Sequence, residues 1–168
     1  MRALVDRLVV AQIGATFNQY SDPRLAERLA HYLDSRADAT LMLVGEAAGY
    51  RGARISGIPF TSERQLTGTG PAEATATIVH RVLADLGLEE HVLLWNVVPT
   101  HPGTDTSNRV PTRAEVQAGL PFALELAHDR RVLAVGRIAE ASLNARYVRH
   151  PSHGGAPAFR ETLRACLR

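Results

Sequence analysis

Thr40-Leu41-Met42-Leu43-Val44, closed by Gly45, has the composition of a strand buried on both faces: short, apolar without alternation, and bounded by a glycine. Val92-Leu93-Leu94-Trp95-Asn96-Val97-Val98 and Val132-Leu133-Ala134-Val135-Gly136 repeat the pattern, and Tyr147-Val148-Arg149 supplies a shorter fourth run. Between them apolar residues recur at helical spacing over Pro23–Asp34, Ala72–Leu86, Arg113–Asp129 and Ile138–Ala145, and Ala158–Leu167 closes the chain. On Ala72–Leu86, the residues Ala72, Thr75, Ala76, Val79, Leu83 and Leu86 share one face, with Pro71 near the start and Gly87 just past the end. Pro121 is expected to kink or divide the 113–129 segment, because it lacks a backbone N–H and its ring crowds the preceding turn. Strands alternating with helices predict an α/β fold, a three-layer α/β/α sandwich around a central, mostly parallel four-stranded sheet. Such sheets bind ligands at the carboxyl ends of their strands, so chemistry is sought in the segments that follow each strand.

A chain of 168 residues, 45% apolar, has enough hydrophobic surface for one core and not for two, which gives a single domain over residues 1–168. No apolar run reaches the roughly 18 residues a bilayer span needs, so no membrane is expected as a partner. Met1–Arg7 places an acid and two arginines where a signal peptide needs unbroken apolar sequence, which predicts a cytoplasmic protein; a monomer is expected. Cys166 is the only cysteine, which excludes an internal disulfide, a Cys-based zinc site and an iron–sulfur cluster. No metal or other cofactor is expected. All 19 basic residues are arginine, and they are unevenly spread: through residue 108 acids outnumber them, whereas residues 109–168 hold ten arginines against five acids. A basic segment of this kind suits phosphate and bases, although a lysine-free composition is also what a GC-rich genome produces.

The first strand leads into Gly45-Glu46-Ala47-Ala48-Gly49-Tyr50-Arg51-Gly52, in a weakly structured stretch from Glu46 to Gly70. Its small residues let a ligand approach the backbone, with Glu46 as a carboxylate among them, but neither a P-loop nor G-x-G-x-x-G is present. Phe60, held behind Pro59, either plugs the core or stacks on a flat ligand. Asn96, inside the second apolar run, must satisfy both donor and acceptor; it is either a core amide bonded to backbone or a reader of an edge such as O4 and N3–H of uracil. A second irregular stretch, Pro99–Pro111, follows. The last cluster, Arg149-His150-Pro151-Ser152-His153-Gly154-Gly155, offers a neutral imidazole for an oxyanion, and a hydroxyl and amides for a phosphate. There is no Gly-x-Ser-x-Gly elbow and no His-x-Glu or Cys-x-x-Cys spacing, which disfavours a serine hydrolase or a zinc deaminase.

Taken in order, Gly45-Glu46-Ala47-Ala48-Gly49, Gly57-Ile58-Pro59-Phe60, Asn96 at a strand end and His150-Pro151-Ser152 resemble the uracil-DNA glycosylase superfamily over about residues 40–159. The first motif is similar to the Gly-Glu-Ala-Pro-Gly of an iron–sulfur branch whose four cysteines are absent here. The resemblance implies a monofunctional DNA repair glycosylase that flips deoxyuridine out of DNA and hydrolyses its N-glycosidic bond, releasing free uracil and leaving an abasic site. It implies that Gly45, Ala47, Phe60 and Asn96 hold the uracil, with Phe60 stacking on the base and Asn96 reading its edge. His150 would donate to uracil O2 and Glu46 would position the attacking water. The loop of residues 151–157 would enter DNA, with Arg149, Ser152, His153 and Gly154 as contacts, and Arg146 and Arg160 flank it. The partner is then uracil-containing DNA, single- or double-stranded.

Departures from the family pattern sharpen the expectations. Ala47 stands where the best-known branch has a water-activating Asp, which keeps open a non-catalytic module that binds uracil or abasic sites. Gly49 stands where that branch has a tyrosine that blocks the thymine methyl, so Tyr50 or Glu46 would have to exclude thymine. His153 followed by two glycines replaces a bulky apolar wedge. Arg2–Ile13 fits either a helix covering the sheet or an arm reaching DNA.

Overall fold

The computed structural model describes residues 1–168. Four strands, β1 (Leu41–Ala47), β2 (Val92–Val98), β3 (Arg131–Val135) and β4 (Arg146–Val148), form one sheet in the order β2-β1-β3-β4. Every pairing is parallel, so the carboxyl ends of all four strands lie along one rim. The expected sandwich is therefore present, with a sheet that is wholly parallel. Eight helices surround it: α1 (Arg2–Val9), α2 (Pro23–Ser35), α3 (Ala53–Ser56), α4 (Glu63–Thr67), α5 (Ala74–Asp85), α6 (Arg113–Ala127), α7 (Arg137–Leu143) and α8 (Ala156–Leu167). No helix is long and apolar enough to cross a membrane.

Strand alternation divides the core into two layers. Met42, Val44, Leu93, Trp95 and Ala134 face the helices α1, α2, α6 and α7. Leu41, Leu43, Leu94, Leu133 and Val148 face α5 and α8, which contribute Val79, Leu83, Phe159 and Leu163. The N-terminal segment is settled as a covering helix: Leu4, Val5 and Leu8 of α1 are buried in the first layer. The exposed edge of β2 is closed by Tyr32 of α2, whose hydroxyl oxygen accepts from the Leu94 N–H at 2.7 Å.

Several element boundaries differ from the sequence expectation. β1 runs three residues past Val44, because β2 continues to Val98 and the Ala47↔Val98 pairing holds the backbone extended. Glu46 and Ala47 are thus strand residues, and the Glu46–Gly70 stretch also contains the short helices α3 and α4. α5 begins at Ala74, leaving Ala72 exposed outside it. Pro121 does not divide α6; it and Gln117 are both exposed, so the carbonyl that Pro121 leaves without a partner faces solvent. α6 lies so close to β2 that a Cβ at Gly119 would stand 2.4 Å from the Val97 carbonyl oxygen.

One buried carboxylate ties the N-terminal loop, the Pro99–Pro111 stretch and α6 together. Glu115 receives both terminal nitrogens of Arg109, at 2.6 and 2.7 Å, the Thr112 N–H at 2.8 Å and the Ala15 N–H at 3.3 Å. Led by the Arg109 hydrogen bonds, these contacts hold its pKa down at about 2 against an ordinary 4.5. A depressed carboxylate stabilises the fold above its unfolded pKa, and that contribution disappears as pH falls through the folded value. Glu115→Gln is therefore expected to lower the unfolding free energy by roughly 2–3 kcal/mol at pH 7. Denaturant titrations should show the gap between the two proteins closing as pH is lowered from about 4.5 towards 2; a gap independent of pH would refute the ion-pair account.

Candidate active site at the carboxyl ends of the strands

A cavity of about 490 Å³ opens at the carboxyl rim of the sheet, on the α5/α8 side. Its size suits a small ligand. The geometry begins at Gly45, which pairs in register with Asn96 across β1 and β2. A Cβ at Gly45 would lie 2.3 Å from Phe60 Cζ and 2.9 Å from Asn96 Oδ1, so only glycine lets the ring and the amide meet there. Gly45 itself does not line the cavity; it makes room for the two side chains that do.

Phe60 reaches this place through a strained turn. Its φ is 54°, a left-handed conformation that costs a bulky residue about 1–3 kcal/mol. The strain is offset by local hydrogen bonds around Ser56, which is fully buried: its hydroxyl donates to the Thr61 carbonyl at 2.6 Å, and its oxygen accepts from the Ile58 N–H at 3.1 Å. Thr61 in turn lies 3.0 Å from His80 Nε2 on α5. Phe60 is thus both a buried member of the second core layer and part of the cavity wall, which joins the two readings that the sequence left apart.

Asn96 is 4% exposed, and its carboxamide has no hydrogen-bond partner in the protein. A core amide would have its donor and acceptor satisfied; this one keeps both for whatever enters the cavity. His150 lies two residues beyond β4 and also lines the cavity. The Ser152 N–H donates to its Nδ1 at 3.2 Å, and the Ser152 hydroxyl lies 2.8 Å from the same atom. Nδ1 is therefore the acceptor, and the proton resides on Nε2. Burial, followed by the neighbouring Arg149 and His153, pushes the His150 pKa below its ordinary value and favours the neutral ring.

The loop that follows is shaped by its glycines. His153 and Gly154 both have positive φ, and a Cβ at Gly155 would stand 2.4 Å from the His150 carbonyl oxygen. Arg149 donates to that same carbonyl at 2.8 Å. Ser152, His153 and Arg149 line the cavity, whereas Gly154 lies outside it. Arg146 donates to the Ala165 carbonyl and Arg160 pairs with Asp85, so neither lines the cavity.

Glu46 and Ala47 sit on the rim, and burial raises the Glu46 pKa. Tyr50 is not part of the cavity; Arg51 packs over its ring at 5.3 Å. The structure adds lining groups that no motif marks: Glu73 ahead of α5, Asn108 and Arg109 from the 99–111 stretch, and Arg137 after β3, stacked 4.1 Å over Tyr147. Asn108 and Arg109 follow β2 and Arg137 follows β3, as the strand-end rule directs, whereas Glu73 lies beyond α4, far along the connection from β1 to α5. Buried His101 braces the rim, its ring nitrogens each 2.7 Å from a carbonyl oxygen, of Ala48 and of Thr104. No group of three or more His, Cys, Asp or Glu side chains converges as a metal site would.

Glu46 has no ion-pair or hydrogen-bond partner, so its raised pKa marks a carboxylate held in place at a cost to stability. A group with a raised folded pKa stabilises the fold only below its unfolded value, and that advantage is lost as pH rises through the folded one. Glu46→Gln is expected to melt slightly higher than the parent at pH 7 and no higher below about pH 4.5. A melting temperature at pH 7 equal to or below the parent's would contradict the placement.

The sequence profile of the uracil DNA glycosylase superfamily matches residues 33–163, more than three quarters of the chain. No curated protein matches it in sequence. Among solved structures, wild-type SMUG2 of Pedobacter heparinus superposes with a TM-score of 0.69 at 12% identity, covering 98% of this chain and 96% of that one, a likeness of fold. The matched residues include all four strands and the cavity from Glu46 to His153, and the chain belongs to the uracil DNA glycosylase superfamily.

Proposed function

We propose that the protein is a monofunctional DNA repair glycosylase that hydrolyses the N-glycosidic bond of deoxyuridine and releases free uracil. The observation that carries this reading is the pairing of an unbonded Asn96 carboxamide with a neutral His150 donor in one cavity walled by Phe60. The carboxamide offers the donor and acceptor that match uracil O4 and N3–H. A base reaches them only by leaving the stack, which costs a few kcal/mol, least at a mismatch or in a single strand. Stacking on Phe60 and phosphate contacts from the arginine-rich rim offset that cost.

Cleavage leaves negative charge on the departing uracil, over N1, O2 and O4, and cationic character on the sugar. His150, donating from Nε2 to O2, stabilises the anion without having to lose or gain charge beforehand. Glu46, on the cavity rim, is assigned the task of orienting the attacking water and facing the sugar cation, since Ala47 beside it has no group for that task. The absence of lysine leaves no side-chain amine for a Schiff base, so the product strand stays uncut. Ala47 also favours a second reading, a module that binds uracil-containing DNA without releasing the base.

Single-turnover release of uracil from a labelled oligonucleotide separates these readings. Asn96→Ala and His150→Ala are each expected to slow release by about 10²–10³-fold while circular dichroism and melting remain those of a folded protein. Release at the parental rate in both variants would overturn the site, and selective binding without any release by the parent would establish the module instead.

A further inference from the structure

Glu73 is the N-cap residue of α5, its carbonyl accepting from the Thr77 N–H, but its side chain makes no hydrogen bond to the helix N-terminus. The carboxyl instead crosses to the turn after β1 and lines the cavity. A Cβ at Gly49 would stand 2.0 Å from its Oε1, and one at Gly52 would stand 2.1 Å from its Oε2. Two glycines are therefore needed to seat this one carboxyl. No N–H, hydroxyl or cation bonds to it, and it belongs to no ion pair. Burial raises its pKa, as expected of a carboxyl held largely out of water with nothing to pair with. A partnerless carboxyl in that state costs the fold stability, so packing gives no reason for it to be there.

The base-binding arrangement supplies a reason. A uracil with O2 at His150 and O4 and N3–H at Asn96 turns N1 and its sugar to the opening, which leaves the C5–C6 edge. C5 is next to C4, so that edge continues past Asn96, away from His150. The turn after β1 that seats the Glu73 carboxyl lies next to β2, which bears Asn96, and two strands away from β4, which leads into His150. Glu73 therefore stands on the Asn96 side, with Oε1 in the place that a Gly49 side chain would take. We propose that Glu73 determines specificity at this site, by facing C5 of the bound base and rejecting a C5 methyl group. Against C5–H the carboxyl keeps its share of water; a methyl would displace that water and leave both oxygens unpaired. Rejection through an unpaired polar group discriminates more strongly than an apolar wall, which separates bases differing by one methyl only modestly.

This inference rests on the glycosylase reading, and its test is arranged to separate the two. Release of the target base is measured in single turnover from otherwise identical U:G and T:G duplexes, for the parent, Glu73→Ala and Glu73→Gln. The expected result is a thymine-to-uracil rate ratio at least tenfold higher in Glu73→Ala than in the parent, with Glu73→Gln, which keeps a polar group of the same size, within about threefold of the parent. Glu73→Ser replaces the alanine form if the latter does not fold. A ratio unchanged within twofold in the small variant, or equal losses on both duplexes, would overturn the assignment and leave Glu73 a structural residue. A parent that releases no uracil would overturn the glycosylase reading and this inference with it.

Discussion

The missing Cβ at Gly45 is the constraint on which the site depends. It lets the Phe60 ring come down onto β1 beside the Asn96 amide, and any larger residue would push both away. The left-handed backbone at Phe60, the buried Ser56 hydroxyl and the link from Thr61 to α5 all serve to hold the ring in that position. The same device recurs a few residues on, where Gly49 and Gly52 make room for the Glu73 carboxyl. The glycine-rich turn after β1 is thus a set of sockets for side chains from distant segments. A reading of it as bare backbone awaiting a ligand captures only the residues around Ala47 and Ala48.

The cavity gathers polar groups that folding alone does not favour. Asn96, Glu46 and Glu73 are withdrawn from water without protein partners, and each such group costs stability. The cost is met elsewhere, by two apolar layers on a fully parallel sheet and by Glu115, whose four hydrogen bonds fasten the segments around the rim. His150 differs from the carboxyls in that its partner decides its chemistry. The Ser152 N–H occupies Nδ1, fixes the tautomer and leaves Nε2–H for the cavity.

The α/β alternation was legible because apolar runs and helical spacing are local signals, and the strand-end rule then directed attention to Glu46, Asn96 and His150. What local signals could not show was set by tertiary pairing. β1 extends over Glu46 and Ala47 because Val98 lies opposite, and a polar residue conceals that continuation in the sequence. α6 passes Pro121 because the freed carbonyl faces water. Whether Asn96 is a satisfied core amide depends on the absence of neighbours, which only the folded chain reveals. Glu73 was invisible for a similar reason: it is far from Gly49 and Gly52 along the chain, and nothing in its own surroundings marks it. Tyr50, which with Glu46 was one of the two residues the motif offered for excluding thymine, packs with Arg51 outside the cavity.

The central claim is that this cavity takes a flipped deoxyuridine and cuts its glycosidic bond without cutting the strand. The most direct measurement is the product balance of one turnover by the wild-type protein in excess over an oligonucleotide with a single deoxyuridine. The account predicts one free uracil for each alkali-labile site formed and an intact strand before alkali. Uracil-selective binding with no free base would contradict it, as would strand scission without alkali.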